Sequence, residues 1–107
     1  MSKSSTLTNK IIDFIYRQGG YVWRASSVGI YDKARGVYRT APKKGVSDIL
    51  ACYRGRLVAV EVKVGRDRLS PEQDGFLKNI RHAGGIAFVA RDFESFTDQW
   101  KAQLSTA

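Results

Sequence analysis

The sequence is short of the side chains that carry most metal and nucleophile chemistry, with one cysteine, Cys52, and one histidine, His82. A lone cysteine excludes an internal disulfide, and a lone histidine excludes a Cys2His2 zinc site and any hydrolase that needs a histidine pair. Acids are scarce too, ten Asp and Glu against 18 Lys and Arg, for a net charge of +8. Long apolar runs are missing: the stretch from Ile11 to Ile15 carries Asp13, so neither a membrane span nor a secretory signal is expected, and the chain reads as soluble and cytoplasmic. No repeat, low-complexity tract or linker interrupts it. What is present is 107 residues, 43% hydrophobic and 11% aromatic, the size of one domain covering residues 1–107 and too apolar for a disordered basic tail. Any chemistry must fall to carboxylates and lysines.

The charge is unevenly placed. Residues 17–68 hold twelve bases and four acids, a net +8, whereas residues 69–107 are net −1. Trp23, Tyr31, Tyr38 and Tyr53 lie within the basic stretch. Cations displace phosphate counterions and flat rings stack on bases, so a basic band with interleaved aromatics suits a nucleic acid. Arg24, Lys33, Arg35, Arg39, Lys43, Lys44, Arg66 and Arg68 are the candidate contacts. Any one of them, taken singly, is an ordinary solvated side chain. No amphipathic helix concentrates the charge, which argues against a membrane surface.

Periodicity orders the rest. Leu7, Ile11, Phe14 and Ile15 form the stripe of a helix that Gly19 and Gly20 stop. Tyr21 to Ala25 reads as a short strand, and Ser26 to Ser47 as a long basic loop. Asp48 to Tyr53 and Arg56 to Val64 flank Arg54-Gly55 as a hairpin in which paired residue numbers sum to 109. One side carries Ile49, Ala51, Val58, Val60 and Val62; the other carries Leu50, Cys52, Leu57 and Ala59 and ends in Asp48, Glu61 and Lys63. Both sides read as largely buried, with Cys52 a small core residue. Ser70-Pro71-Glu72-Gln73 opens a second helix as N-cap, first turn and capping box, with Phe76, Leu77, Ile80 and Ala83 as its buried stripe and His82 on the surface near its end. Gly84-Gly85 ends it, Ile86 to Ala90 is a buried strand, and Phe93, Phe96, Trp100 and Leu104 mark a last helix. The order implies an α/β domain with a mixed central sheet flanked by helices.

Asp48 facing Glu61 across the hairpin places two carboxylates within repelling range, a penalty that a divalent cation removes. An oxygen-only site favours Mg2+ or Mn2+. Lys63, two residues beyond Glu61 on the same face, is placed to hold or help deprotonate a water and to stabilise a charged phosphorane-like state. Those parts suffice for phosphodiester hydrolysis. An isolated Glu-x-Lys is usually a surface ion pair; this one ends a strand of Leu, Val and Ala, where unpaired charge is costly. Gln73 projects from the buried side of its helix, and capping and active-site roles are equally open for it.

Gly45-Val46-Ser47-Asp48, Val60-Glu61-Val62-Lys63, Leu69-Ser70-Pro71-Glu72-Gln73 and a glycine before the last strand resemble the VRR-NUC branch of the PD-(D/E)XK nuclease superfamily over about residues 7 to 92. The minimal length is similar to that of stand-alone VRR-NUC proteins of phages and bacteria, relatives of archaeal Holliday-junction resolvases. The resemblance implies a restriction-endonuclease-like core. It implies that Asp48, Glu61 and the Val62 carbonyl bind the metal, that Lys63 serves the water and that Gln73 shapes the site. It further implies a homodimer acting on branched or structured DNA, with the long basic loop guiding a strand. The family usually carries a Glu in the first helix; here that position falls on Asn9, so either Asp13, one turn later, substitutes or the site works with two carboxylates.

The expected function is therefore a metal-dependent, structure-selective DNA endonuclease. A non-catalytic nucleic-acid-binding module on the same fold is the alternative that Asn9 raises. A subunit docking an acidic protein through Lys43 and Lys44 is a third reading.

Overall fold

In the computed structural model, residues 2–25, 30–32, 34–39 and 45–104 are described. Helix α1 (Lys3–Arg17) leads into strand β1 (Tyr21–Arg24). A two-stranded ribbon follows, β2 (Ile30–Asp32) and β3 (Val37–Arg39), then β4 (Ile49–Tyr53), β5 (Arg56–Val62), α2 (Pro71–His82), β6 (Ile86–Ala90) and α3 (Phe93–Leu104). The main sheet has the order β1-β4-β5-β6. Its first three strands are antiparallel, and β5 and β6 are parallel, joined through α2 as a parallel pair requires.

The β4–β5 register is Ile49↔Val60, Leu50↔Ala59, Ala51↔Val58 and Cys52↔Leu57, the pairing expected from the sum of 109. Arg54 (φ 50°) and Gly55 (φ 79°) both take the left-handed region, the two-residue turn whose twist matches the flanking strands. Ile49, Ala51, Val58, Val60, Val62 and Phe88 are buried on one side of the sheet. Leu7, Ile11 and Ile15 of α1 and Phe96, Trp100 and Leu104 of α3 cover them. Phe14 stands edge-on to Phe93, Phe96 and Trp100 at 5.5–5.9 Å, an arrangement that suits the ring quadrupoles. On the opposite side α2 covers only β5 and β6, placing Leu77 on Ala59 and Ala87.

That half-cover overturns several expectations. Cys52 is exposed, because its row of the sheet lies beyond the reach of α2. Tyr53 points the other way and is buried against Trp100, so it leaves the set of ring donors available to a nucleic acid. Ala83 caps α2 and is exposed. The segment 26–47, expected to be a loop, contains the β2–β3 hairpin with Tyr31 opposite Tyr38. Each of its strands has only three residues, too few for alternation to register.

Candidate nuclease site

The site gathers where β4 begins and β5 ends. The ladder stops at Ile49↔Val60, and Asp48, one residue before it, turns its carboxylate across the gap to accept the Val62 N–H at 2.8 Å. On the way in, Ala25 N–H donates to the Asp48 carbonyl at 2.8 Å, fixing the exit of β1 to the same point. Gly45 (φ 79°) lies against the backbone of Glu72 and Gln73, where a Cβ would collide with the first turn of α2. The approach to Asp48 is thus locked to the helix that carries Gln73.

Gln73 does two jobs with one amide. Its Oε1 accepts from the Ser70 N–H at 2.9 Å while Ser70 Oγ accepts from the Gln73 N–H at 3.1 Å, completing the capping box. With Oε1 held there, Nε2 faces the sheet and donates to Glu61 Oε1 at 3.3 Å. The capping geometry therefore orients a donor towards Glu61, so capping does not prevent Gln73 from bonding this carboxyl.

Glu61 is 2% exposed, and Lys63 Nζ stands 3.9 Å from its Oε1. Burial above all, then the neighbouring Asp48 carboxylate, pushes its pKa from 4.5 up to about 8, with Lys63 pulling the other way. Its Oε2 has no hydrogen-bond partner, and the buried hydroxyl of Ser47, beside Asp48, also has none. A buried carboxyl oxygen without a donor, next to the Asp48 carboxylate, leaves the pair short of a cation or shared proton. No group of three or more His, Cys, Asp or Glu side chains is assembled among the described residues. A hard cation that keeps several waters needs only one or two carboxylates, so the donor set fits Mg2+ or Mn2+.

A cavity of about 240 Å3 opens over these groups, lined by Asp48, Glu61, Val62, Lys63 and Gln73 together with Ser4, Ser5, Thr8, Arg24 and Asp67. Asn9 and Asp13 lie outside this lining. Asn9 Oδ1 accepts from Arg24 Nη2 at 3.2 Å, and Asp13 pairs with Arg17 at 2.8 Å on the exposed side of α1. The helix face turned to the cavity carries the hydroxyls of Ser4, Ser5 and Thr8, which helical periodicity alone could have shown once the site's position was known. Arg66 and Arg68 are exposed around a neighbouring hollow that Arg91 also lines. Arg91, which pattern reading passed over, comes from the end of β6 and donates to the Asp67 carbonyl at 3.0 Å. Arg35 is exposed in the turn of the β2–β3 ribbon and Arg39 belongs to β3. Lys33, Lys43 and Lys44 lie outside the described residues. Among the described residues, no helix is long and apolar enough to cross a membrane.

Comparison with known proteins agrees with the architecture. The fold is similar to that of Hjc, a Holliday junction resolvase from the archaeal hyperthermophile Archaeoglobus fulgidus. The TM-score is 0.56 and the identity 21%, covering 82% of this chain and 67% of that one. This likeness makes the fold restriction-endonuclease-like. No curated relative matches the chain significantly. The model of the VRR-NUC domain matches residues 31–93, more than half of the chain, and runs through Asp48, Glu61, Lys63 and Gln73; the chain belongs to the VRR-NUC family of nuclease domains.

Proposed function

We propose that the chain is a Mg2+- or Mn2+-dependent DNA endonuclease that hydrolyses phosphodiester bonds in branched DNA, working as a homodimer. The observation that carries this reading is the buried Glu61, beside Asp48 and with an unpartnered Oε2, in a cavity that also holds Lys63. A carboxylate in that position costs free energy, and its cost is offset when a cation joins it. Asp48, Glu61 and the Val62 carbonyl would hold the ion. When bound, it supplies Lewis-acid chemistry, lowering the pKa of a water and offsetting charge on the phosphate. Lys63 holds the attacking water and stabilises the charge gathering on the phosphate oxygens. Gln73 keeps Glu61 oriented through its 3.3 Å bond. Arg24, on the rim, binds a neighbouring phosphate. Branched DNA as the substrate is supported by the fold shared with a protein described as a Holliday junction resolvase.

A binding-only reading rests on one observation, that α1 offers the cavity hydroxyls and no carboxylate. Cleavage of labelled four-way junction, splayed arm, flap, duplex and single strand in Mg2+, Mn2+ and EDTA separates the two. Metal-dependent cutting that Lys63→Ala abolishes is expected. Salt-sensitive binding with no cutting in any metal would establish the binding-only reading.

A further inference from the structure

The sheet face that carries the carboxylates continues past them as an uncovered shelf. Cross-strand pairing sets out rows on this face, Trp23 with Leu50 and Ala59, then Tyr21 with Cys52 and Leu57, and Asp48 and Glu61 lie two residues before Leu50 and beyond Ala59. Helix α2 sits over Ala59 and its cluster reaches Leu50, and among the described residues no helix covers the β1 side of the face. Trp23 is 41% and Tyr21 76% exposed, and their rings touch at 5.6 Å, tilted by 48°. Rows two residues apart are separated by about 7 Å and adjacent strands by about 4.8 Å. The Trp23 backbone therefore lies roughly 8 Å from that of Asp48, within one nucleotide's reach of a phosphate held there.

We infer that Trp23 and Tyr21 form a stacking site for an unpaired nucleobase next to the scissile phosphate. The inference rests on the proposed DNA substrate and narrows it to nucleic acid with unstacked bases, such as those at a branch point or in a single strand. Base-on-ring stacking needs a flat, partly exposed aromatic surface beside cations that track the backbone. Both are present, because Arg24, adjacent to Trp23 in the chain, and Lys63 line the carboxylate cavity at the end of the shelf. A two-fold contact centred on this shelf would bring these cations towards their own counterparts, which disfavours a second copy of this chain as its occupant. In continuous duplex the bases are already stacked and cannot reach the shelf.

The site has its own spectroscopic reporter. Trp100 is buried, so a change in emission on binding comes from Trp23. The test titrates the Lys63→Ala protein in EDTA with oligothymidylate, with a four-way junction and with blunt duplex, following fluorescence and affinity. Oligothymidylate and the junction are expected to quench emission more than duplex does. Trp23→Ala should weaken single-strand affinity about tenfold with an unchanged salt slope, and Trp23→Phe should restore most of it. Equal quenching by duplex, or unchanged single-strand affinity in Trp23→Ala and Tyr21→Ala, would overturn the inference. So would a dimer that these two substitutions split into monomers with DNA affinity intact, since a second copy would then cover the shelf. Quenching with no cleavage by the wild-type protein in any metal would keep the stacking site and remove the catalytic reading. Cleavage without selective quenching would do the reverse.

Discussion

The two faces of one sheet are built to opposite specifications. Under α1 and α3 the face is continuous hydrocarbon and aromatic ring, with Ile49, Val58, Val60 and Phe88 at 0% exposure. Across the same strands, one residue out of step, α2 covers only part of the width; at its edge lie a buried carboxyl and a partly buried lysine, and beyond it two exposed aromatic rings. Because side chains alternate along a strand, β5 can give Val58, Val60 and Val62 to the core while it presents Glu61 to the cavity on the other face. The first face supplies the free energy that lets the second bury an ionisable carboxyl.

Substitutions that strike one face and spare the other test this division. The largest effect is expected from Trp100→Ala, which empties a buried aromatic cluster and should lower stability by about 3–5 kcal/mol, read by urea denaturation. Lys63→Ala should leave the denaturation midpoint nearly unchanged and reduce metal-dependent cleavage about 100- to 1000-fold in single-turnover assays. Unfolding by Lys63→Ala, or retained cleavage, would erase the contrast.

Glu61→Gln should act in the opposite sense on the two properties, abolishing cleavage while raising stability in EDTA by at least about 1 kcal/mol, or roughly 4–8 °C in Tm. The pH dependence follows from the raised pKa. In the folded protein Glu61 keeps its proton up to about pH 8, whereas in the unfolded chain it loses it near 4.5. Its contribution to stability is therefore complete below about pH 4.5 and is lost progressively as pH rises to 8. Melting in EDTA across that window should show the decline in the wild type and a flatter profile in Glu61→Gln. Gln73→Glu is the smallest change: the capping acceptor survives, but the donor to Glu61 becomes a like charge. The helix should persist by circular dichroism while cleavage falls about tenfold.

Much of the half that carries Asp48 and Glu61 is legible in the sequence. The hairpin register follows from β-branched runs on either side of Arg54-Gly55, and the helix start from Ser70-Pro71 with Gln73 three residues after the cap. Both signals are local. Coverage is a tertiary property, which is why Cys52 reads as core in sequence and is exposed in the fold: its hydrophobic row continues, but the helix above it does not. The same holds for Ser4, Ser5, Thr8 and Asp67, which join the cavity from segments about 40 residues or more from Asp48 or from the loop beyond Lys63, and for Arg91, whose neighbours in sequence say nothing of the hollow it lines. The β2–β3 ribbon escapes notice because three-residue strands lack a period.

The most direct test of the division is a calorimetric titration of Mn2+ into the wild-type protein and Glu61→Gln at pH 6 and pH 8, in buffers of different ionisation enthalpy. If Glu61 is the protonated carboxyl that a metal must displace, wild-type binding at pH 6 releases close to one proton and strengthens by about tenfold or more at pH 8, and Glu61→Gln loses most of the affinity. Equal affinity in the two proteins, with no proton released at pH 6, would contradict the assignment of this face to metal-assisted hydrolysis.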